Sequence, residues 1–396
     1  MIAKRLRQSL EEGVSIRDIF EEGKKMAAIY GAENIFNFTI GNPSVAPPPI
    51  VNEAMKEVLD SEVPLTLHGY PANVGHPDVR QFIADYLNKK YGMHYDERGI
   101  IMTNGAAAAI VNICHTLLDE GDEVVTFAPY FWEYKSYVST VYGKLVPAYC
   151  NMETLQPDPW TFETALSPKT KFVLINTPNN PTGAVYTEES IKTICKILEK
   201  KQKEYGHPIY LVSDEPYRKL AYDIEVPWLP DYYRNTIVVY SFSKSLSIPG
   251  ERIGYMAFQS DIDDYDDFIA GATASMRYLG YVNAPSLQQR MLLKCIDATV
   301  DISIYQKTRD ILYDGLTKIG YQCIHPDGAF YLFMKALEPD AFHFCEVAKE
   351  ERLLMAPGDA FSGPGWVRIS YCVPSEVAEK SLPAFERLYQ KYQNQG

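Results

Sequence analysis

The stretch TIVVYSFSKSLSIPGER (236–252) begins as a short β-branched apolar run and ends in small hydroxyl residues around one lysine. The run is too short for a buried helix, and its composition is typical of a fully buried strand. A lysine placed just past such a strand would be partly desolvated, which lowers its pKa and suits it to Schiff-base chemistry. Around Lys244, the side chains of Ser241, Ser243 and Arg252 could supply hydrogen-bond donors and charge to a phosphate.

Three more apolar runs of this kind precede it along the chain, and helical patterns separate them. They are EVVTF (123–127), KFVLIN (171–176) and PIYLVSD (208–214), and each ends in polar or turn residues. Residues 187–205 show the helical pattern: they start with Thr-Glu-Glu-Ser, an N-terminal capping signal, and continue with apolar residues at helical spacing. Alternating strands and helices of this kind predict a mostly parallel sheet covered on both faces.

A smaller α+β domain is expected after about residue 320, where GAFYLFMKA (328–336) and WVRISYCV (366–373) have the pattern of strands. The 396 residues of the chain exceed what one hydrophobic core usually organises. We therefore expect a large domain over residues 45–285 and a small domain built from residues 1–44 and 286–396.

The composition argues against several classes of protein. The chain has 51 acidic and 38 basic residues, a net charge of −13, whereas nucleic-acid binding relies on basic surface, so no nucleic-acid partner is expected. No apolar stretch approaches the roughly 18 residues that cross a bilayer, so no membrane association is expected. Residues 1–20 have an amphipathic helical pattern and not that of a signal peptide. The seven irregularly spaced cysteines are expected to be reduced thiols, which together with the missing signal predicts a cytoplasmic location.

Three further polar clusters follow predicted strands or begin a helix, and ligands of open parallel sheets bind at the carboxyl ends of the strands. In SDEPY (213–217), Asp214 could face a pyridine nitrogen and keep it protonated, although a helix N-cap is the ordinary alternative. In NTPNNPTG (176–183), Asn180 could donate to a ring oxygen or a carboxylate, but a tight turn alone also explains the motif. In TNGAAAA (103–109), the free amides of a helix N-terminus could bind phosphate, or simply begin an Ala-rich helix.

Taken together, the order and spacing of these motifs resemble fold type I pyridoxal-phosphate (PLP) enzymes, and specifically the class I/II, aspartate aminotransferase-like family. The resemblance extends from about Ile40 to about Arg368. It implies an α/β fold with a large domain, whose mostly parallel seven-stranded sheet lies between helices, and a smaller α+β domain. It also implies PLP as cofactor, no metal, and ping-pong transfer of an amino group between an L-amino acid and a 2-oxo acid through an internal aldimine on Lys244.

The resemblance implies roles for residues in these motifs. Lys244, Asp214 and Tyr217 would be catalytic: Lys244 holds the cofactor as a Schiff base, and Asp214 is the partner of the pyridine nitrogen. Tyr217 and Asn180 would hydrogen-bond the phenolic oxygen of the ring. The phosphate would be bound by Gly105, Ala106, Ala107, Ser241, Ser243 and Arg252.

Two aromatic residues extend this cofactor site. Phe131, in PYFWEY (129–134), would stack on the cofactor, with Trp132 as the neighbouring alternative and core packing as the ordinary explanation for the other rings. Tyr70, in HGYPANVG (68–75), would reach the phosphate of the neighbouring subunit, which implies a homodimer with shared active sites. The family also implies cis peptide bonds before Pro129 and Pro181.

The substrate site implied by the resemblance contains Arg368, Asn180 and Gly41. The planar guanidinium of Arg368, in an apolar strand, can form two parallel bonds to an α-carboxylate, although a structural ion pair is the alternative. Gly41 would lie beside that carboxylate. The lysine that some aspartate-preferring members carry after the glycine of the phosphate turn is replaced by Ala106, and Arg277 is either a substitute for it or an ordinary surface arginine.

Three alternatives to an aminotransferase stay open at this stage. A PLP-dependent lyase of the carbon–sulfur β-lyase type uses the same lysine, aspartate and phosphate site on the same fold. A non-catalytic PLP-binding regulator usually has an attached DNA-binding domain, for which this chain has neither the extra length nor the basic surface. An unrelated nucleotide-binding α/β protein is the most distant alternative, because the glycine pattern is not G-x-G-x-x-G.

Overall fold

A seven-stranded sheet forms the centre of the computed structural model, which describes residues 2, 7 and 16–394. The strands of the chain are β1 Phe36–Asn37, β2 Ile100–Thr103, β3 Glu123–Ala128, β4 Lys144–Tyr149, β5 Thr170–Asn176, β6 Tyr210–Asp214, β7 Thr236–Ser241, β8 Gly254–Ala257, β9 Cys323–Ile324, β10 Tyr331–Lys335, β11 Leu353–Leu354, β12 Ala356–Pro357 and β13 Trp366–Ser370. The central sheet has the strand order β2-β8-β7-β6-β5-β3-β4. Only β8 runs antiparallel to its neighbours, so the predicted mostly parallel, seven-stranded sheet is confirmed.

Helices cover both faces of this sheet, as the buried strands require. Every residue of β6 and β7 is buried, which explains the nearly continuous apolar sequence of these strands. The helices are α1 Ile16–Tyr30, α2 Pro49–Ser61, α3 Pro64–Leu67, α4 Pro77–Tyr91, α5 Ala106–Leu117, α6 Glu133–Ser139, α7 Pro159–Ala165, α8 Glu188–Tyr205, α9 Phe242–Ser245, α10 Tyr265–Tyr278, α11 Ser286–Cys295, α12 Ser303–Ile319, α13 Ala341–Glu350 and α14 Ser375–Gln393.

The capping signal before α8 has the structure that its sequence predicts. The hydroxyl of Thr187 accepts a hydrogen bond from the backbone N–H of Ser190, and Glu188 and Glu189 lie in the first turn, where they complement the helix dipole. Gly206 ends the helix in the left-handed conformation at φ 75°. The crossover between β5 and β6 is therefore determined by local sequence at both of its ends.

The C-terminal part of the chain forms a second, antiparallel sheet with the order β12-β13-β10-β9, as expected of an α+β unit. The segment before Gly41 packs on this part of the molecule: β1 pairs in parallel with β11, and Phe38 belongs to the same hydrophobic cluster as Leu332 and Phe385. Most of the helix predicted in residues 1–20 lies outside the described residues, and α1 begins at Ile16.

The packing of α11 and α12 bears on where two domains would divide. Met291 and Leu292 of α11 share a hydrophobic cluster with Ile83 and Met102, which lie on the side of the central sheet. Leu312 of α12 packs instead in the cluster that covers the antiparallel sheet. The division into domains at residues 44/45 and 285/286 stays a prediction.

Within the described part of the chain, no helix has both the length and the apolar composition to cross a bilayer.

Candidate active site

A cavity of about 850 Å³ lies where the carboxyl ends of β5, β6 and β7 meet side chains from β10 and β13. This is the edge at which open parallel sheets bind ligands. It brings together most of the residues singled out in the sequence, although they are spread over more than 300 positions. Its lining includes Gly41, Ala106, Ala107, Phe131, Asn180, Asp214, Tyr217, Ser241, Ser243, Lys244, Arg252 and Arg368.

Two of the predicted residues do not line this cavity. Gly105 directly precedes α5 with φ +84°, and a Cβ atom on it would lie 2.9 Å from Nη2 of Arg252. A residue without a side chain therefore allows Arg252 to approach the amino-terminal end of α5, where Ala106 and Ala107 face the cavity. Tyr70 is 94% exposed and does not line the cavity of its own chain.

Lys244 lies in the short helix α9, one turn beyond the buried strand β7. Its Nζ donates a hydrogen bond to the carbonyl oxygen of Gly41 at 2.8 Å and lies 5.2 Å from the ring centre of Phe330. Loss of hydration lowers the pKa of Lys244 to about 8, and the positive charges of Arg252 and Arg368 act in the same direction. This lowered pKa agrees with the sequence-based expectation, and it gives the amine a much larger neutral fraction at physiological pH than an ordinary lysine has.

Asp214 ends β6, and its buried carboxyl group has a hydrogen bond to only one of its two oxygens. Oδ2 accepts a hydrogen bond from the hydroxyl of Tyr134 at 2.5 Å, while Oδ1 has no hydrogen-bond partner among the described residues. Burial raises the pKa of Asp214 to about 7, and the nearby Glu215 also raises it, whereas the Tyr134 hydroxyl acts in the opposite direction. A buried acceptor without a donor is costly unless a ligand supplies one.

Tyr134 is a site residue that sequence reasoning missed. It stands in the aromatic-rich stretch around Phe131, where ordinary core packing was the expected role for most rings. A buried tyrosine usually needs a partner for its hydroxyl, but nothing in the sequence identifies Asp214, 80 positions away, as that partner.

Arg368 carries a buried positive charge in the middle of β13. Its Nη1 donates to Oδ1 of Asn180 at 2.9 Å and its Nη2 to the carbonyl oxygen of Thr39 at 2.5 Å, while Nε has no partner in the described part of the chain. Two aromatic rings lie 4.7 and 4.5 Å from the guanidinium carbon, those of Tyr331 and Phe361. Among the residues that the structure describes, no carboxylate forms a salt bridge with Arg368, so the alternative of a structural ion pair is not observed.

The expected phosphate side of the cavity combines hydroxyls, a guanidinium and a helix N-terminus. The Ser241 hydroxyl accepts from the backbone N–H of Ser243 at 3.2 Å, and the two hydroxyl oxygens are 2.9 Å apart. Arg252 extends into the cavity from the segment before β8, with its Nη1 donating to the carbonyl oxygen of Pro249. This arrangement provides donors and positive charge around one end of the cavity, as an anion site requires.

One prediction about the backbone is half correct. The Ala128–Pro129 bond is cis, as expected, but Asn180–Pro181 is not, so that prediction is wrong. The cis bond of this loop is Thr177–Pro178, directly after the end of β5. The motif NTPNNPTG holds two prolines three positions apart, and its sequence alone does not show which of them is preceded by the cis bond.

Comparison with known proteins decides the family. A family model described as aminotransferase class I and II matches residues 33–385. The chain belongs to this family. The aspartate aminotransferase of Thermotoga maritima is 30% identical, over 92% of this chain and 94% of that protein.

Solved structures agree with this assignment. An aminotransferase from Eubacterium rectale is 48% identical with a TM-score of 0.96 and covers 99% of both chains. Thermus thermophilus aspartate aminotransferase with maleate is 27% identical with a TM-score of 0.86, over 98% of this chain and all of that one. The chain is thus a PLP-dependent aminotransferase with amino acid and 2-oxo acid substrates, and the carbon–sulfur lyase alternative is not supported.

The lining residues of this aminotransferase fit PLP. The volume of about 850 Å³ is within the usual range for small-molecule sites, roughly 300–1,000 Å³. The unpaired Oδ1 of Asp214 can accept a bond from a protonated ring nitrogen, and the amine of Lys244, with its lowered pKa, can attack an aldehyde. The donors around Arg252 and the end of α5 suit a phosphate.

Replacing Asp214 by asparagine tests its burial in the PLP-free protein. The folded-state pKa of about 7 lies above the unfolded value of about 3.9, so ionisation of this carboxyl destabilises the native state increasingly as pH rises between them. Relative to wild type, Asp214→Asn should therefore gain stability between about pH 4 and pH 8, by up to about 4 kcal/mol, in denaturant titrations.

Asp263→Asn is the matched control with the opposite sign. Burial tends to raise the pKa of Asp263, but hydrogen bonds from Asn235 and Arg234 hold it below its usual range. This variant should lose stability relative to wild type as pH rises towards the unfolded value of about 3.9, with a constant difference above it, because the native state favours the ionised form. An effect of Asp214→Asn that is the same at every pH would contradict the account of a raised pKa.

Proposed function

We propose that this cavity is the site of amino transfer, with Lys244 as the covalent anchor and proton carrier. The observation that carries the proposal is the arrangement of Lys244, Asp214 and Arg368 around one cavity. All three side chains are charged or titratable and at least partly buried. Asp214 and Arg368 each keep one polar atom without a hydrogen-bond partner among the described residues. A cofactor at one end and a substrate carboxylate at the other would satisfy both atoms.

On the cofactor side, Asp214 would accept a hydrogen bond from the ring nitrogen, and Tyr217 and Asn180 would donate to the ring oxygen. Phe131 would cover one face of the ring. The phosphate would be bound by Ser241, Ser243, Arg252 and the amides that follow Gly105, namely those of Ala106 and Ala107. Bound PLP supplies an electron sink for the α-carbon of the amino acid, and a protonated ring nitrogen strengthens it.

On the substrate side, Arg368 and Asn180 would bind the α-carboxylate, and Gly41 would lie beside it. The neutral form of the Lys244 amine, which is favoured by the pKa lowered through dehydration, would take the α-proton from the incoming amino acid. In the second half-reaction the same amine would return a proton to the α-carbon of the new amino acid. Lys244 would thus act as base and then as acid in each half-reaction, because the proton that it takes from one carbon is delivered to another.

Borohydride reduction followed by peptide mass mapping tests the role of Lys244 directly. The cofactor should be fixed on the peptide that contains Lys244, and Lys244→Ala should abolish both the labelling and the visible absorbance of the PLP-loaded protein. Lys219 is the matched control, because burial lowers its pKa to about 8 as well, but it lies outside the cavity. Labelling of Lys219 in wild type, or full turnover by Lys244→Ala, would contradict the proposal.

We further propose a homodimer in which Tyr70 completes the site of the partner. Residues 63–70 and 278–282 carry a group of exposed apolar side chains that includes Tyr70, and a hydrogen bond from Asn73 to the carbonyl oxygen of Val282 joins the two segments. Exposed apolar groups of this kind mark interaction surfaces. The members of the group and their exposed fractions are Val63 63%, Leu65 87%, Tyr70 94%, Tyr278 87% and Val282 37%.

Mixed dimers distinguish a shared site from a self-contained one. Dimers purified with one Lys244→Ala subunit and one Tyr70→Phe subunit should hold one intact site, which combines Lys244 of one chain with Tyr70 of the other. We expect that site to bind PLP with wild-type affinity, whereas the Tyr70→Phe homodimer should bind it about tenfold or more weakly, since a bond to a charged group is lost. Weak PLP binding in the mixed dimer would contradict a shared site.

The preferred amino acid stays a proposal. Two of the relatives described above are aspartate aminotransferases, one of them solved with maleate, a dicarboxylate, so aspartate and glutamate are the first donors to test. Arg277 is exposed beside Tyr278 and does not line the cavity of its own chain, so any role in substrate binding would be in the partner's site. The cytoplasmic location stays a prediction.

A further inference from the structure

Tyr331, at the start of β10, is a cavity residue that neither the motifs nor the roles above include. It is 2% exposed and lies where the antiparallel sheet faces the central one. Its hydroxyl oxygen is 3.0 Å from that of Tyr217, and its ring centre is 4.7 Å from the guanidinium carbon of Arg368. One side chain therefore contacts a residue of the cofactor side and a residue of the substrate side.

The position of this ring is fixed by the backbone around it. Tyr331 pairs with Ser370 across the β10–β13 ladder, two residues beyond Arg368. A Cβ atom on Gly41 would lie 2.0 Å from the Tyr331 hydroxyl, so only glycine allows this ring to reach Tyr217. The carbonyl oxygen of Gly41 also accepts the bond from Lys244, which places the Tyr331 hydroxyl close to the reactive amine.

We propose that Tyr331 is a positioning residue that links the two halves of the site, its hydroxyl orienting Tyr217 and its ring orienting Arg368. The inference rests on the proposed function, because it takes Tyr217 as a cofactor contact and Arg368 as the carboxylate site. It adds a residue that acts through these two and explains why Gly41 must lack a side chain.

The hydroxyl contact determines the direction of the Tyr217 hydroxyl. Tyr217 is 5% exposed, and Tyr331 is its only hydrogen-bond partner among the described residues. Burial raises the pKa of Tyr331 to about 12, and the charge of Arg368 limits this rise, with Cys372 and Tyr217 the other titratable groups nearby. Both hydroxyls therefore stay protonated at neutral pH, and when Tyr331 donates to Tyr217, the Tyr217 proton is directed to another acceptor.

The ring contact determines the plane of the Arg368 guanidinium. Tyr331 and Phe361 lie 4.7 and 4.5 Å from its central carbon, and cations over aromatic faces are attracted more strongly when dehydrated. Asn180 and Thr39 bind the two terminal nitrogens. The two rings thus stabilise the charge of Arg368, which has no counterion in the described part of the chain. They also keep the guanidinium oriented for a carboxylate.

Two substitutions separate the two contacts. Tyr331→Phe removes the hydroxyl and keeps the ring, whereas Tyr331→Leu removes both. Tyr321→Phe is the matched control, because it deletes a buried tyrosine hydroxyl that donates to the carbonyl oxygen of Phe385, outside the cavity. All three variants keep Lys244, Asp214 and Arg368, so PLP loading can be measured in each.

The first readout is the pH midpoint of the visible absorbance of the PLP-loaded protein. Donors directed at the ring oxygen favour the more negative form, so a disoriented Tyr217 should raise the midpoint. We expect an increase of about 0.4–1 pH unit in Tyr331→Phe, the equivalent of one hydrogen bond, and no change in Tyr321→Phe. An unchanged midpoint in Tyr331→Phe would overturn the role of the hydroxyl.

The second readout is the dissociation constant of two carboxylates, succinate and 3-phenylpropionate, measured by calorimetry on the PLP-loaded protein. Tyr331→Phe should bind them as wild type does, and Tyr331→Leu about 2- to 30-fold more weakly, because the ring over Arg368 is lost. Equal binding by wild type and Tyr331→Leu would overturn the role of the ring. If wild type binds neither carboxylate, or binds no PLP, the proposed function fails and this inference fails with it.

Discussion

The site depends on two buried ionisable side chains, Arg368 and Asp214, neither of which has a counterion among the described residues. Arg368 and Asp214 are each about 5% exposed or less, and each retains a polar atom without a partner. Removing an ion from water costs several kcal/mol unless an opposite charge and hydrogen bonds replace the hydration. The fold keeps these groups buried, and the proposed ligands supply what the chain lacks: a protonated ring nitrogen for Asp214 and a carboxylate for Arg368.

The fold brings the two sheets together at this site, and Gly41 lies between the side chains that they contribute. Asp214 ends β6, and Lys244 follows the end of the adjacent parallel strand β7. Both residues therefore lie at the same edge of the central sheet. The antiparallel sheet contributes Arg368 and Tyr331 from adjacent strands, β13 and β10. Gly41 lies between the two groups, since its carbonyl oxygen binds Lys244 and its missing side chain admits Tyr331.

Much of the fold and site could be predicted because strong local patterns mark them. Apolar strands ending in polar residues predicted the parallel sheet and the shared position of Lys244 and Asp214, whose strands are neighbours in it. Contacts between distant, chemically ordinary residues could not be predicted: Tyr134 and Tyr331 have no motif, and their partners are 80 and 114 positions away. The cis bond was misplaced for a related reason, because a motif with two prolines does not itself show which of them is preceded by the cis bond.

The central claim is that Arg368 is an uncompensated charge reserved for the α-carboxylate of the substrate. Its most direct test is a titration of PLP-loaded wild type and Arg368→Leu with each protein amino acid, followed by the visible absorbance. We predict that an amino acid removes the visible band of wild type and that its 2-oxo acid partner restores it. In Arg368→Leu the band should be present at the start, but half-saturation should require at least about thirtyfold more amino acid. Equal half-saturation in the two proteins would contradict the account.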